Sequence, residues 1–295
     1  MVGHQLAGNL IQGLILGAVY GMATMGLSLI FGVLKVVNVG HGAFMMVGAF
    51  LALSTFKLLG LPPVLAVPVA FIVGMLLGFI FYRVAIKKLI KGPELSSLLA
   101  TFAFGIILEE VVKLIYGSEH RGYNWALGKF SLGVTVVPYT KLIAFVGSIL
   151  VAVLLYVWFN RTKAGKALRS VVEDSEGARV CGINVEWEYA LSFAIGLGLT
   201  VSSGVLLTLF IPVGINPYMG GHYTLKAFVI AVLGGLESPY GAFFGGLIFG
   251  LIENGSYLLF SSFPSLEPFA MTRFFSFVML LIILLIRPEG LLKTK

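Results

Sequence analysis

The chain has 295 residues, 58% of them hydrophobic and 11% charged, with a mean hydropathy of +1.00. A soluble domain carries about 25% charged residues, so a water-soluble globule is excluded and lipid is the expected solvent. The formal charge of +7 does not mark a nucleic-acid binder, because the basic residues sit beside hydrophobic runs and form no patch interleaved with aromatics. Cys181 is the only cysteine, which rules out an intrachain disulfide and a thiolate metal cluster and reads as a small apolar filler.

A helix rising about 1.5 Å per residue needs about 20 apolar residues to cross roughly 30 Å of hydrocarbon. The first apolar run, from about Gln5 to Leu34, is long enough to stay as a span. It lacks the charged n-region and small-residue cleavage site of a signal peptide, so nothing is expected to be processed away. Spans are predicted at 8–34, 38–56, 62–82, 95–115, 141–159, 189–211, 240–260 and 270–287. A shorter apolar piece, Ala227 to Leu236, reaches only about half-way across and reads as a half-helix or part of a distorted span. The expected fold is thus all-α: one polytopic membrane bundle over residues 1–295 with eight or nine transmembrane helices. The 37 glycines and 11 prolines suit membrane helices, whose neighbours re-satisfy freed backbone groups.

Polar residues inside apolar runs are the candidate working parts. Asn38, His41 and the glycines Gly40 and Gly42 interrupt the passage from the first span to the second. They form either a tight turn whose polar groups meet water or headgroups, or part of a cytoplasmic gate or ATPase contact. A similar break, Gly234-Gly-Leu-Glu237-Ser-Pro-Tyr-Gly241, leads into Gly241-Ala-Phe243, matching Gly42-Ala-Phe44 and hinting at an internal repeat with the path at its interface. Glu253 sits mid-span beside Asn254, as a structural pair or as a gate or subunit-interface residue. Glu109, Glu110 and Lys113 fit helical pairing near the outer headgroups.

Basic residues cluster in alternate loops: Lys35; Arg83, Lys87, Lys88 and Lys91; Arg161, Lys163, Lys166, Arg169 and Arg179; Arg287, Lys293 and Lys295. The positive-inside rule makes these loops cytoplasmic. Segments 57–61, 116–140, 212–224 and 261–269 are left outside. Strict alternation over nine crossings places the N-terminus outside and the C-terminus in the cytoplasm.

The longest hydrophilic stretch, 160–188, has a helical pattern. Ala164, Ala167, Leu168, Val171 and Val172 share one face and Lys166, Arg169 and Glu173 another. A second short helix is predicted from about Ser175 to Cys181, ended by Gly182. Such a pair fits a groove on a partner protein or lies on the membrane surface.

The run Thr162-x-x-Gly165-x-Ala167-Leu168-Arg169, then Asp174-x-x-x-Ala178-x-x-x-Gly182-Ile183, resembles the cytoplasmic coupling loop of LivH-type permeases of branched-chain amino-acid ABC importers. The resemblance extends through Gly26 to Gly48, Leu233 to Gly246 and Arg287-Pro-Glu-Gly290-Leu. It implies that Thr162, Gly165, Leu168, Arg169, Asp174, Ala178, Gly182 and Ile183 form an ATPase-docking element. Asn38, His41, Gly42, Glu237 and Glu253 are the candidate gate and pathway residues.

The resemblance further implies two similar permease subunits in a heterodimer, two cytosolic ATPase subunits that use ATP and magnesium, and a periplasmic substrate-binding protein, in a bacterial inner membrane. This chain is then a non-catalytic subunit with no cofactor or metal of its own and no nucleic-acid partner. Its sequence agrees. The Gly165-Lys166 pair has Asn160 where a P-loop needs its first glycine, Gly196-Leu-Gly198 reads as close helix packing rather than a dinucleotide fingerprint, and no catalytic triad or zinc spacing occurs. The rivals are a urea, amide or sugar ABC permease, and a stand-alone secondary transporter, which would need no docking element.

Overall fold

In a computed structural model, residues 2–90, 92–131, 135–263 and 267–286 are described. Twelve helices follow one another among these residues: α1 (Val2–Leu34), α2 (His41–Leu59), α3 (Ala66–Phe81), α4 (Lys87–Leu89), α5 (Glu94–Tyr116), α6 (Tyr139–Arg161), α7 (Lys163–Glu173), α8 (Ser175–Val180), α9 (Val185–Thr208), α10 (Gly220–Gly234), α11 (Pro239–Ser261) and α12 (Pro268–Ile286). Four strands are short: β1 (Arg121–Gly122), β2 (Lys129–Ser131), β3 (Val136–Pro138) and β4 (Val213–Ile215). A π-helical turn, Tyr82–Ile86, joins α3 to α4, so the third span continues beyond its expected end at 82 and carries Arg83, Lys87 and Lys88 on its last turns.

Among the described residues, six helices are long and apolar enough to cross a membrane: 6–34, 41–59, 63–89, 139–161, 185–208 and 239–261. The 23-residue α5 and 19-residue α12 complete eight full-length rods. The 15 residues of α10 rise only about 22 Å. Eight spans and a half-helix match the expected count.

Two helices form the dry centre. Within their most apolar windows α9 is 94% buried and α1 83%, against 17% for α6, so α6 leaves most of its surface on the outside of the bundle. Close packing on α1 follows from glycines four residues apart, which fall on one helix face. A Cβ on Gly13, Gly17 or Gly21 would come within 2.5, 2.6 or 2.5 Å of the carbonyl oxygens of Gly250, Gly246 and Phe243 on α11. On α9, Gly196 lies against Ile30 and Gly26 of α1, and Gly198 against Phe71 and Met75 of α3, the packing role expected for that pair.

Contacts at the rod ends sort the loops onto two faces. On one, the Lys141 ammonium donates to Gln12 Oε1 at 3.1 Å, β1 pairs antiparallel with β4, Phe56 meets the Tyr123 ring at 5.2 Å, and Tyr123 donates its hydroxyl to Thr208 at 2.7 Å. Segments 57–61, 116–131, 135–140 and 212–216 therefore share a face with the first turns of α1, whereas 217–224, expected in the same outer loop, leads into α10, where Thr224 already meets Gly42 inside the bundle. On the other, Lys35 pairs with Glu237 at 2.5 Å and Lys87 with Glu186 at 2.8 Å, beside α7 and α8. This grouping agrees with the loop alternation read from the basic residues. Lys91, Arg287, Lys293, Lys295, residues 264–266 and the Arg287–Leu291 motif lie outside the described residues.

Candidate pathway and coupling sites

Past α1 the chain doubles back into the bundle. Lys35 takes a left-handed φ of +56°, uncommon for a side-chain-bearing residue, and the segment after it threads between α5 and α10. Thr101 donates its hydroxyl to Val37 O at 3.1 Å and accepts from Val39 N at 3.1 Å. Thr224 accepts from Gly42 N at 2.8 Å and donates to Val39 O at 3.3 Å. Asn38 and His41 are fully buried. Their expected contact with water or headgroups is therefore corrected: inside hydrocarbon, interrupted backbone must find partners within the protein, and two threonines from neighbouring helices supply them. His41 Nδ1 lies 3.4 Å from Thr200 Oγ1. Both polar atoms of Asn38 and Nε2 of His41 have no partner among the described residues.

The half-helix α10 starts beside Gly42 and ends against Gly241. The two Gly-Ala-Phe motifs thus open α2 and α11 at opposite ends of the same short helix. From its middle, Lys226 reaches Glu253 Oε1 of α11 at 2.5 Å and donates to the Tyr20 hydroxyl at 2.9 Å. Its ammonium stands 4.8 Å from the Tyr20 ring centroid and 5.8 Å from that of Tyr223, in cation–π range. Only 13% of the lysine side chain and 17% of the glutamate are exposed. A cavity of about 10 Å³ between Tyr20, Met45, Tyr223 and Lys226 is at the lower limit for one water, so little room for solvent is left on the Lys226 side of the pair. Glu253 was expected to pair structurally or to gate. Asn254 is not its partner, donating instead to Gly250 O at 3.2 Å on its own helix. Lys226 was missed. It lies one residue before the apolar run that marks α10, and a lone lysine there, with a lone glutamate in a later span, was the available signal.

Glu237, another pathway candidate, stands apart. It pairs with Lys35 where both side chains are more than half exposed. Glu110 and Lys113 make the expected helical pair at 2.7 Å.

Residues 162–183 form two helices, the 11-residue α7 and the 6-residue α8. Thr162 caps α7, accepting from Gly165 N at 3.0 Å while donating to Trp158 O at 2.7 Å. Gly165 fits tightly against Phe159, where a Cβ would lie 2.6 Å from backbone. Leu168 is wholly buried in the main core. Asp174 caps α8 through Glu176 N at 3.0 Å. Gly182, at φ +84°, ends it, and Ile183 N returns to Ala178 O at 3.0 Å. Val171, Ala178 and Val185 make a small core that locks the pair to α9. Arg169 donates to Asn160 Oδ1 at 3.1 Å on the outer side. The open cavity there, about 600 Å³, is lined by Lys166, Arg169, Glu173 and Asp174 among others.

Two expectations change. Cys181 is exposed, not a filler, because it sits at the C-terminal cap of α8, one turn beyond the buried Ala178. Val172 is 44% exposed: the buried stripe of α7 is narrow, centred on Leu168 and Val171, and Val172 falls on its edge.

Residues 9–284 match the model of a family described as "Branched-chain amino acid transport system / permease component". The chain belongs to that family. It is 30% identical over 299 residues to the high-affinity branched-chain amino acid transport system permease protein BraD of Pseudomonas aeruginosa, covering 96% of this chain and 94% of that protein. Identity is also 30% to LivH of Escherichia coli K12, with the same coverage. A probable branched-chain amino acid transport permease protein LivH of Methanocaldococcus jannaschii is 32% identical over 92% of this chain and 87% of that one. Among solved structures, a chain of PsaBC from Streptococcus pneumoniae in complex with Fab superposes with a TM-score of 0.52 at 18% identity, over 98% of this chain and 97% of that one, which shows a shared fold. The permease family read from the motifs is thus the family found, over nearly the whole length.

Proposed function

We propose that this chain is the transmembrane permease subunit of an ATP-driven importer for branched-chain or related neutral amino acids, acting as one domain with its coupling element at 160–188. One observation carries the coupling role. The α7–α8 pair is capped, fastened to the bundle by Leu168 and Val171, and turns a mixed-charge face outward, on a chain whose sequence has no phosphate cradle. That element is built to transmit force from another protein's ATP cycle. The substrate class rests on the relatives, which are named as branched-chain amino acid permeases.

In this reading the α7 face is cytoplasmic, by its Lys and Arg excess, and the membrane is the bacterial inner membrane with the C-terminus inside. Two ATPase subunits, using ATP and magnesium, dock on the element formed by Thr162, Gly165, Leu168, Arg169, Asp174, Ala178, Gly182 and Ile183, with Arg169 and Asp174 on its outward face and Gly165, Leu168 and Ala178 holding it to the bundle. A second, similar permease completes a heterodimer, and a periplasmic binding protein delivers the substrate. Asn38, His41 and Gly42 at the root of α2, with Glu253 and Lys226 at the waist of α10, form the gate region. Glu237 ties the ends of α1 and α10 at the cytoplasmic face.

The test is uptake of radiolabelled leucine into proteoliposomes holding this chain with and without the candidate ATPases, second permease and binding protein. ATP-dependent uptake in the full set alone is expected. Gradient-driven uptake by this chain alone would make it a secondary transporter, and ATP-dependent uptake of urea, an amide or a sugar in place of leucine would reassign the substrate.

A further inference from the structure

A groove of about 620 Å³ opens on the outside of the bundle between α3, α6 and α9. Its walls are apolar, Phe71, Met75, Leu154 and Ile195 among them, and Ser202 at its far end already donates its hydroxyl to Val67 O at 3.3 Å. Along α9 the groove runs from Leu191 to Ser202, eleven steps of about 1.5 Å or roughly 16 Å. That is one leaflet's share of about 30 Å of hydrocarbon. The end nearer α7 is closed by Trp158, a residue type that favours the membrane interface, and by Ala164 in the first turn of α7. Just beyond stand Arg161 and Lys163, both exposed and without an ion pair among the described residues.

We infer that this groove holds one acyl chain of an anionic phospholipid from the α7-side leaflet, with its phosphate against Arg161 and Lys163. Length, apolar lining and charge at one mouth select this occupant together. A partner helix would leave the two cations unused, and a zwitterionic lipid would gain little from them. The site does not depend on the transported substrate. Because Ala164 belongs to α7, the bound chain wedges the root of the coupling element against α3 and α9.

The test uses Trp158 as reporter. Trp125→Phe and Trp187→Phe leave it this chain's sole tryptophan, and the protein, purified with its partner subunits, is placed in nanodiscs holding graded fractions of dibrominated phosphatidylglycerol or dibrominated phosphatidylcholine, with the emission of a matching Trp158→Phe assembly subtracted to remove the partners' tryptophans. Half-maximal quenching is expected at a phosphatidylglycerol fraction at least threefold lower than for phosphatidylcholine. Arg161→Gln with Lys163→Gln, surface changes that spare the core, should bring the two curves together. Superimposed curves before that substitution would reduce the lipid to ordinary annular contact. Absence of quenching by either lipid would mean that protein covers the groove, and a preference untouched by the double substitution would remove the headgroup site; each overturns the proposal.

Discussion

The α7–α8 pair and the waist of α10 are both polar features of an apolar chain, yet they are stabilised in opposite ways. In α7–α8 the charges face water and the apolar side chains Leu168, Val171 and Ala178 do the fastening. At the waist the charges themselves are buried, and Lys226, Glu253 and Tyr20 hold each other while two threonines tie the neighbouring break before α2. A surface element loses its ligand-facing charges cheaply and its apolar seam dearly. A buried polar waist responds to loss of a single partner as though a core had been opened.

The largest effect is therefore expected at Lys226. Lys226→Ala leaves the Glu253 carboxylate buried without its counter-ion, and breaking a buried pair on one side costs about 3–5 kcal/mol. Lys226→Met with Glu253→Leu removes both charges and should recover most of the loss, since well-packed apolar replacements of such pairs are often neutral. Thermal unfolding in detergent followed by size exclusion reads both. Equal destabilisation by the single and double variants would show that the residues act separately.

Leu168→Ala comes next. Truncating a fully buried leucine costs about 2–5 kcal/mol, but the loss should stay local, because Leu168 fastens α7 to a bundle that stands on the α1–α9–α11 contacts. Hydrogen exchange should speed in α7 and α8 while α9 keeps its protection. Exchange rising equally in α9 would mean that α7, α8 and α9 open as one unit rather than the coupling element opening by itself.

This contrast explains what the sequence made legible. The spans were readable because lipid imposes one rule, about 20 apolar residues, and the chain obeys it at each full-length rod. The α7–α8 pair was readable because an element at a water boundary has to segregate its faces; the Thr162 and Asp174 caps and Gly182 stop follow the same local logic. The break at Asn38 was located but its surroundings were misjudged, since the segment's burial depends on Thr101 and Thr224, which lie 63 and 186 residues further along in helices whose positions no local pattern gives. Lys226 escaped for the same reason: a lysine at the edge of a short apolar run is unremarkable until α11 brings Glu253 to it. Cys181 was misplaced because residue type was weighed above its position after the last turn of a short helix.

Charge reversal separates signalling from stability in the surface element. Arg169→Glu keeps the Leu168 seam, so insertion and unfolding temperature should hardly change, while substrate-stimulated ATPase activity of the assembled importer falls several-fold. Asp174→Ala should add a modest loss of about 1 kcal/mol from the missing α8 cap, together with weaker coupling. Undiminished stimulation in both variants would remove the mixed-charge face from the docking assignment.

The smallest effect is expected where the comparison predicts least. Lys35 and Glu237 touch as closely as Lys226 and Glu253, at 2.5 Å in each pair, so distance alone would rank them equal. Their side chains are 55% and 65% exposed, however, against 13% and 17% at the waist, and an exposed ion pair contributes about 0–1 kcal/mol and weakens with salt. Glu237→Gln should therefore shift the unfolding temperature far less than Lys226→Ala, and raising the salt concentration should erase the difference from wild type. A Glu237→Gln loss as large as that at Lys226, persisting in high salt, would show that the junction of α1 and α10 is closed from water in the assembled transporter, and that burial by a partner subunit, not by this chain, sets the strength of that pair.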